Sequence, residues 1–204
     1  MQMSEQQYQA SNPGDLTVNK LRYWRYYPKW PTIWFLAVAG SFLLAWYLHW
    51  SFWILTGIAL ALLVFYWWLI ARHYRIACVT PAQVLSTSPM LIAVATDLTK
   101  GEGQFPCVKI LPAPVGRVFG TVPRVGTRLA VLTSYECDPG DELPHFVDID
   151  PKLAQAASGK EQELRRLFDS LSEEDWQQLE AGLKQLGPNP KPGLHRLWEE
   201  ESGE

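Results

Sequence analysis

Apolar and polar positions divide the chain into three regimes. From Thr32 to Ala71, forty residues pass without an Asp, Glu, Lys or Arg. As a single helix this stretch would extend about 60 Å, twice the hydrocarbon core of a bilayer. It must therefore fold back, and His49-Trp50-Ser51 is its least apolar point. The pattern predicts a transmembrane hairpin over 32–71, with helices over 32–49 and 52–71, each just long enough to span.

Small residues recur every four positions on both halves. Ala37, Ser41 and Ala45 lie on the first helix, Gly57 and Ala61 on the second. In a hairpin centred on Ser51, Ser41 meets Ala61 and Ala45 meets Gly57 at equal depth. Small side chains let helix backbones approach closely in lipid, so these four residues form the expected helix seam.

Beyond Arg75 the period changes. Short β-branched runs cover Ile76–Val79, Met90–Thr96, Cys107–Leu111, Val115–Val122, Arg128–Tyr135 and Phe146–Ile149, with Pro- or Gly-containing breaks between them. This spacing predicts a small antiparallel sheet or barrel, oligonucleotide-binding-like or SH3-like. Two amphipathic helices follow: Leu164, Leu167, Phe168 and Leu171 share one face, as do Trp176, Leu179, Leu183 and Leu186. Ser172 before Glu173-Glu174-Asp175 is a helix start, and Gly187-Pro188 a stop. The expected fold is a membrane α-helical hairpin plus an α+β soluble domain. Residues 1–19 read as a disordered lead, 20–31 as an interfacial segment, 76–187 as the domain and 188–204 as a tail.

Charge gives this architecture an orientation. Residues 1–75 carry six basic and two acidic side chains, while 76–204 carry twelve basic and nineteen acidic ones. The basic residues flank the apolar stretch: Lys20, Arg22, Arg25 and Lys29 before it, Arg72 and Arg75 after it. Basic flanks remain cytoplasmic, so both termini are expected inside and the turn outside. Eight of the ten tryptophans precede residue 76. Trp24, Trp30, Trp34, Trp67 and Trp68 belong at the headgroup level beside those cations, because indole has an apolar body and one polar N–H. The basic-aromatic run over 20–31 is thus read as lying along anionic lipid. A net acidic domain argues against nucleic acid as a partner.

Chemistry-bearing groups are sparse. Cys78, Cys107 and Cys137 are odd in number and widely spaced, which fits free thiols in a reducing compartment. Cys137 with His145 as a nucleophile-base pair lacks an orienting group, and the three cysteines with His145 lack zinc-ligand spacing. The acidic run Glu136, Asp138, Asp141, Glu142, Asp148 and Asp150 lacks the ligand order of a calcium loop. Gly101-Glu102-Gly103 reads as a hairpin turn. No ionisable residue lies inside the spans, which argues against a transporter or channel. No catalytic residue, metal or cofactor is assigned.

The segments "SPMLIAVATDLTKGEGQFPCVKIL" (88–111) and "EEDWQQLEAGLKQL" (173–186) resemble an uncharacterised bacterial family with membrane helices ahead of a small cytoplasmic domain. The resemblance covers roughly 75–200. It implies a bacterial inner-membrane protein without an assigned activity, and it transfers no site residue. The expected function is a non-enzymatic interaction module at the cytoplasmic face, meeting the bilayer and a protein partner or a second copy. The alternative is a membrane-tethered sensor of a small ligand.

Overall fold

The computed structural model describes residues 12–99, 104–137 and 145–198. Three helices come first: α1 (Lys20–Tyr26), α2 (Lys29–Tyr47) and α3 (Phe52–Ile76). Asn19 caps α1, its side chain accepting from the Arg22 N–H at 3.1 Å. Pro28 stands at the start of α2 and separates it from α1. α2 and α3 pack against each other and are both long and apolar enough to cross a membrane. At 1.5 Å per residue they measure about 28 and 38 Å. Among the described residues, every exposed large apolar side chain except Leu21, Val122 and Val125 lies between Trp30 and Ile76. A belt of that size needs an apolar surrounding.

α3 outruns the expected span. Its last two turns enter the soluble domain, where Ile70 and Tyr74 are buried. Those insertions fix the helix's rotation. Its less exposed stripe runs Phe52, Thr56, Ala59, Leu63, Tyr66, Ile70 and Tyr74, matched on α2 by Pro31, Trp34, Val38, Ser41 and Ala45. Steps of three and four give the 3.5-residue period of left-handed helix packing. The seam expectation is corrected accordingly. Ser41 and Ala45 are buried, but Gly57 and Ala61 are exposed, and a Cβ added at Gly57 meets no atom within 4 Å. A four-residue repeat drifts off a 3.5-residue stripe, and Ala59 occupies the position instead.

The domain is a six-stranded antiparallel sheet: β1 (Cys78–Thr87), β2 (Met90–Asp97), β3 (Pro106–Pro112), β4 (Arg128–Glu136), β5 (Asp148–Leu153) and β6 (Gly193–Arg196), in the order β5-β4-β1-β2-β3-β6. The sheet curls into a half-barrel with β5 and β6 at its edges. Helices α4 (Ala154–Ala157), α5 (Glu161–Asp169) and α6 (Glu173–Leu186) complete the α+β fold. Two prolines sit where the ladders tolerate them. Pro81 precedes the stretch of β1 that pairs with β2, and Pro151 lies in edge strand β5.

Alternation places two cores on opposite faces of the sheet. Ala93, Ala95, Val108, Ile110 and Leu132 pack with Ile70 and Tyr74 of α3, Leu167 of α5, and Trp176 and Leu179 of α6. Val84, Ile92, Val94, Leu129, Val131 and Leu153 form the other core, closed by Tyr26, Tyr27 and Val115. α6 starts with a reciprocal capping box between Ser172 and Asp175. It can lie close to the sheet because position 182 is glycine: a Cβ there would stand 2.7 Å from Val108 Cγ2.

Three expectations are revised. Residues 12–19 form an ordered strap. The Leu16 N–H donates to the Tyr74 carbonyl at 3.1 Å, the Asn19 N–H donates to the Ala157 carbonyl at 2.8 Å, and Leu16 is buried. The Val115–Val122 run is not a ladder strand. Pro114 and Pro123 bracket it, Gly116 and Gly120 interrupt it, and only a local bridge joins Val118 to Thr121. The tail supplies β6, paired to β3 from Ile110↔Gly193 to Cys107↔Arg196.

Candidate functional site at the membrane-proximal junction

The basic-aromatic segment is half inserted into the domain. Tyr23 of α1 is buried, its ring edge-on to Trp67 at 5.8 Å and to Tyr74 at 6.1 Å. Tyr27 accepts from the Leu153 N–H at 3.3 Å, and the Tyr74 hydroxyl donates to the Leu153 carbonyl at 3.2 Å. One residue of β5 thus receives both the approach to the hairpin and its exit. Burial drives the Tyr27 phenol up to about 12 and Tyr23 higher still, so both stay protonated. His73 adds a further tie, its Nε2–H donating to the Leu132 carbonyl at 3.1 Å while Nδ1 accepts from the Ser134 hydroxyl at 3.3 Å. A carbonyl can only accept, which assigns the proton to Nε2.

Around this clamp the predicted interface residues gather at one end of the hairpin. Lys20 lies over Trp67 at 5.8 Å, Lys29 over Trp30 at 5.6 Å and Arg72 over Trp68 at 5.4 Å. The Trp24 indole donates to Thr32 Oγ1 at 2.9 Å. Trp34 is half-buried and Arg75 is exposed. Arg22 turns inward: its Nε–H donates to the Gln155 carbonyl at 2.5 Å and its guanidinium covers Tyr26 at 5.5 Å.

An open groove of about 870 Å³ runs between α1, the loop over 113–117 and Gly159. Three arginines line it: Arg22, Arg25 and Arg117. Two glycines shape its wall. A Cβ at Gly116 would fall on the Tyr26 hydroxyl, and one at Gly159 would stand 2.8 Å from an Arg22 guanidinium nitrogen. Among the described residues no carboxylate is ion-paired to these arginines, whereas Lys109 is held by Asp148 at 2.8 Å and Arg128 by Glu180 at 2.8 Å. The groove therefore presents uncompensated positive charge, a surface suited to anions. Arg117 and Gln155 were not legible as site residues. The one available signal for Arg117 was a lone cation in an apolar Pro/Gly loop.

The other chemical candidates stay apart. Among the described residues no three of His, Cys, Asp or Glu converge as for a metal. Cys107 is buried and Cys137 is exposed. His145 packs tilted against the Phe105 ring at 4.5 Å and edge-on to Trp198 at 5.5 Å. Asp148 is held by Lys109 and Asp150 by Lys152. Asp138, Asp141, Glu142 and the Gly101-Glu102-Gly103 turn lie outside the described residues.

Residues 69–187 match the family described as protein of unknown function DUF3239. The chain belongs to that family. The match begins inside α3, at Leu69, so the helical turn that carries Ile70 and Tyr74 is part of the family unit along with β1 to β5, while β6 lies beyond it. A solved structure, "Crystal structure of a putative membrane protein from Corynebacterium diphtheriae", shares 17% identity at a TM-score of 0.46, covering 58% of this chain and 99% of that one. No curated protein matches.

Proposed function

We propose that this DUF3239 member is a two-pass protein of a bacterial inner membrane that presents a non-enzymatic interaction module, docked on anionic lipid, at the cytoplasmic face. The observation that carries the reading is the groove of Arg22, Arg25 and Arg117 at the end of the hairpin where the basic flanks gather. Residues 76–204 are net acidic and are repelled by an anionic leaflet. A local cationic face offsets that repulsion, at about 1 kcal/mol per arginine near the surface. The aromatic clamp then holds the sheet in one orientation and occupies edge strand β5 at Leu153, which leaves the other edge strand, β6, to offer for strand addition by a partner or a second copy.

The test uses the full chain in nanodiscs of phosphatidylglycerol–phosphatidylcholine mixture or of phosphatidylcholine alone. Hydrogen exchange at Gly116, Arg117 and Gly159 is expected to be slower in the anionic discs. The difference should shrink in high salt and vanish in the Arg25→Gln/Arg117→Gln variant. Equal exchange in both lipids would overturn lipid docking.

A further inference from the structure

A second cavity lies on the far side of Gln155. It is lined by Phe119 from the loop after β3, Leu129 of β4, Leu153, and Leu164 and Phe168 of α5. Gln155 also lines it, is 6% exposed, and leaves its Nε2 without a hydrogen-bond partner. Native interiors seldom leave such a donor orphaned, so the group calls for an acceptor. The lid is unusual too. Phe119 (φ 46°) and Gly120 (φ 81°) are both left-handed, at the tip of a two-residue turn closed by reciprocal Val118–Thr121 hydrogen bonds of 2.9 Å. The Phe119 ring is edge-on to Phe168 at 5.9 Å and lies under the Arg165 guanidinium at 4.8 Å. Phenylalanine rarely adopts φ > 0, and here the two-residue turn requires it at both central positions, which sets the Phe119 ring against the cavity.

We propose that this cavity binds a small uncharged carbonyl compound, or the carbonyl end of a larger one, whose oxygen accepts from Gln155 Nε2 while its alkyl groups meet Leu129, Leu153 and Phe168. The size fits a short group. The cavity has a free volume of about 30 Å³, where one water needs about 10–15 Å³. The charge fits a neutral ligand. Arg128 lines the same cavity, but its guanidinium is taken by Glu180 at 2.8 Å and by the Trp176 ring at 4.9 Å, so the donor offered is an amide. The site also touches the junction, because the Gln155 carbonyl is the acceptor for Arg22. The proposal therefore deepens the interaction-module reading with a ligand that adjoins its groove, while the binding itself does not depend on lipid.

The test is an NMR titration of the full chain in micelles, following the Gln155 side-chain amide, with acetone and acetate as probes. These are two planar molecules of four heavy atoms that differ in charge. Acetone is expected to shift the signals saturably, with affinity at least tenfold above acetate. A Gln155→Leu variant keeps the volume and removes the donor; it should retain its melting temperature and lose the cavity shifts seen at Leu129 and Leu153. An Ala130→Leu variant, which fills the cavity, should also lose them. No saturable shift in the native chain, equal affinity for acetate, or unchanged acetone binding in Gln155→Leu would each overturn the site. Failure here with slow exchange intact in anionic nanodiscs leaves lipid docking standing.

Discussion

The Tyr74 hydroxyl of α3 donates to the Leu153 carbonyl of β5 at 3.2 Å, in the interior of the domain. A helix that would otherwise end at the headgroups is thereby anchored in the sheet. Tyr74→Phe removes that donor and keeps the ring. It should lower the stability of the full chain in micelles by about 1 kcal/mol, the net worth of a typical hydrogen bond. Tyr74→Ala also opens a cavity and should cost about 3–5 kcal/mol. Thermal melts of the two variants check the order.

Two glycines should respond oppositely to enlargement. A Cβ at Gly14 would fall on Leu132 Cδ2 and lie 3.1 Å from the Tyr74 carbonyl, with Leu132 fully buried and unable to give way. Gly14→Ala should cost about 1–3 kcal/mol by overpacking. At Gly57 the added group meets nothing. Gly57→Leu should leave the hairpin's stability in micelles unchanged, measured by denaturant titration.

Thiol chemistry separates Cys107 from Cys137. Burial, with Asp97 and Asp148 adding to it, raises the Cys107 thiol to about 12. Cys137 is exposed. Alkylation of the folded chain at pH 7.5 should label Cys137 and spare Cys107, whose thiolate fraction is still only about one in a thousand at pH 9. The unfolded thiol ionises near 9, so above that pH the unfolded chain binds fewer protons than the folded one. The contribution of Cys107 to stability is therefore complete below about pH 9 and declines as pH rises towards 12. Mass spectrometry of peptides and melts across that range read both effects.

Orientation has its own test. The proposed topology, argued from the basic flanks, has residues 76–204 inside. A reporter active only outside the cytoplasm, fused after Glu204, is expected to be silent, and one inserted between His49 and Ser51 active. The reverse pattern would invert the topology.

The sequence by itself determined what periodicity and turn chemistry encode locally. A forty-residue uncharged stretch dictates two apolar helices, because no shorter fold of it hides its backbone in lipid. β2 and β3 follow their β-branched runs, and α6 follows Ser172, Asp175 and its leucines, since each is specified within a few residues. The tertiary structure decided everything that depended on distant partners. It carried α3 through to Ile76, because Ile70 and Tyr74 bury more surface in the domain than at a headgroup. It turned the α3 stripe onto Ala59 and away from Gly57. It recruited Gly193–Arg196 as a strand because β3 had an edge to fill. It also moved Arg22 from lipid-facing expectation to the Gln155 carbonyl, and set Arg117 beside Arg25 across a groove. Those pairings lie 133 and 92 positions apart in the chain. Local pattern has no term for such separations, and only packing, which closes the half-barrel over α1, brings them into register.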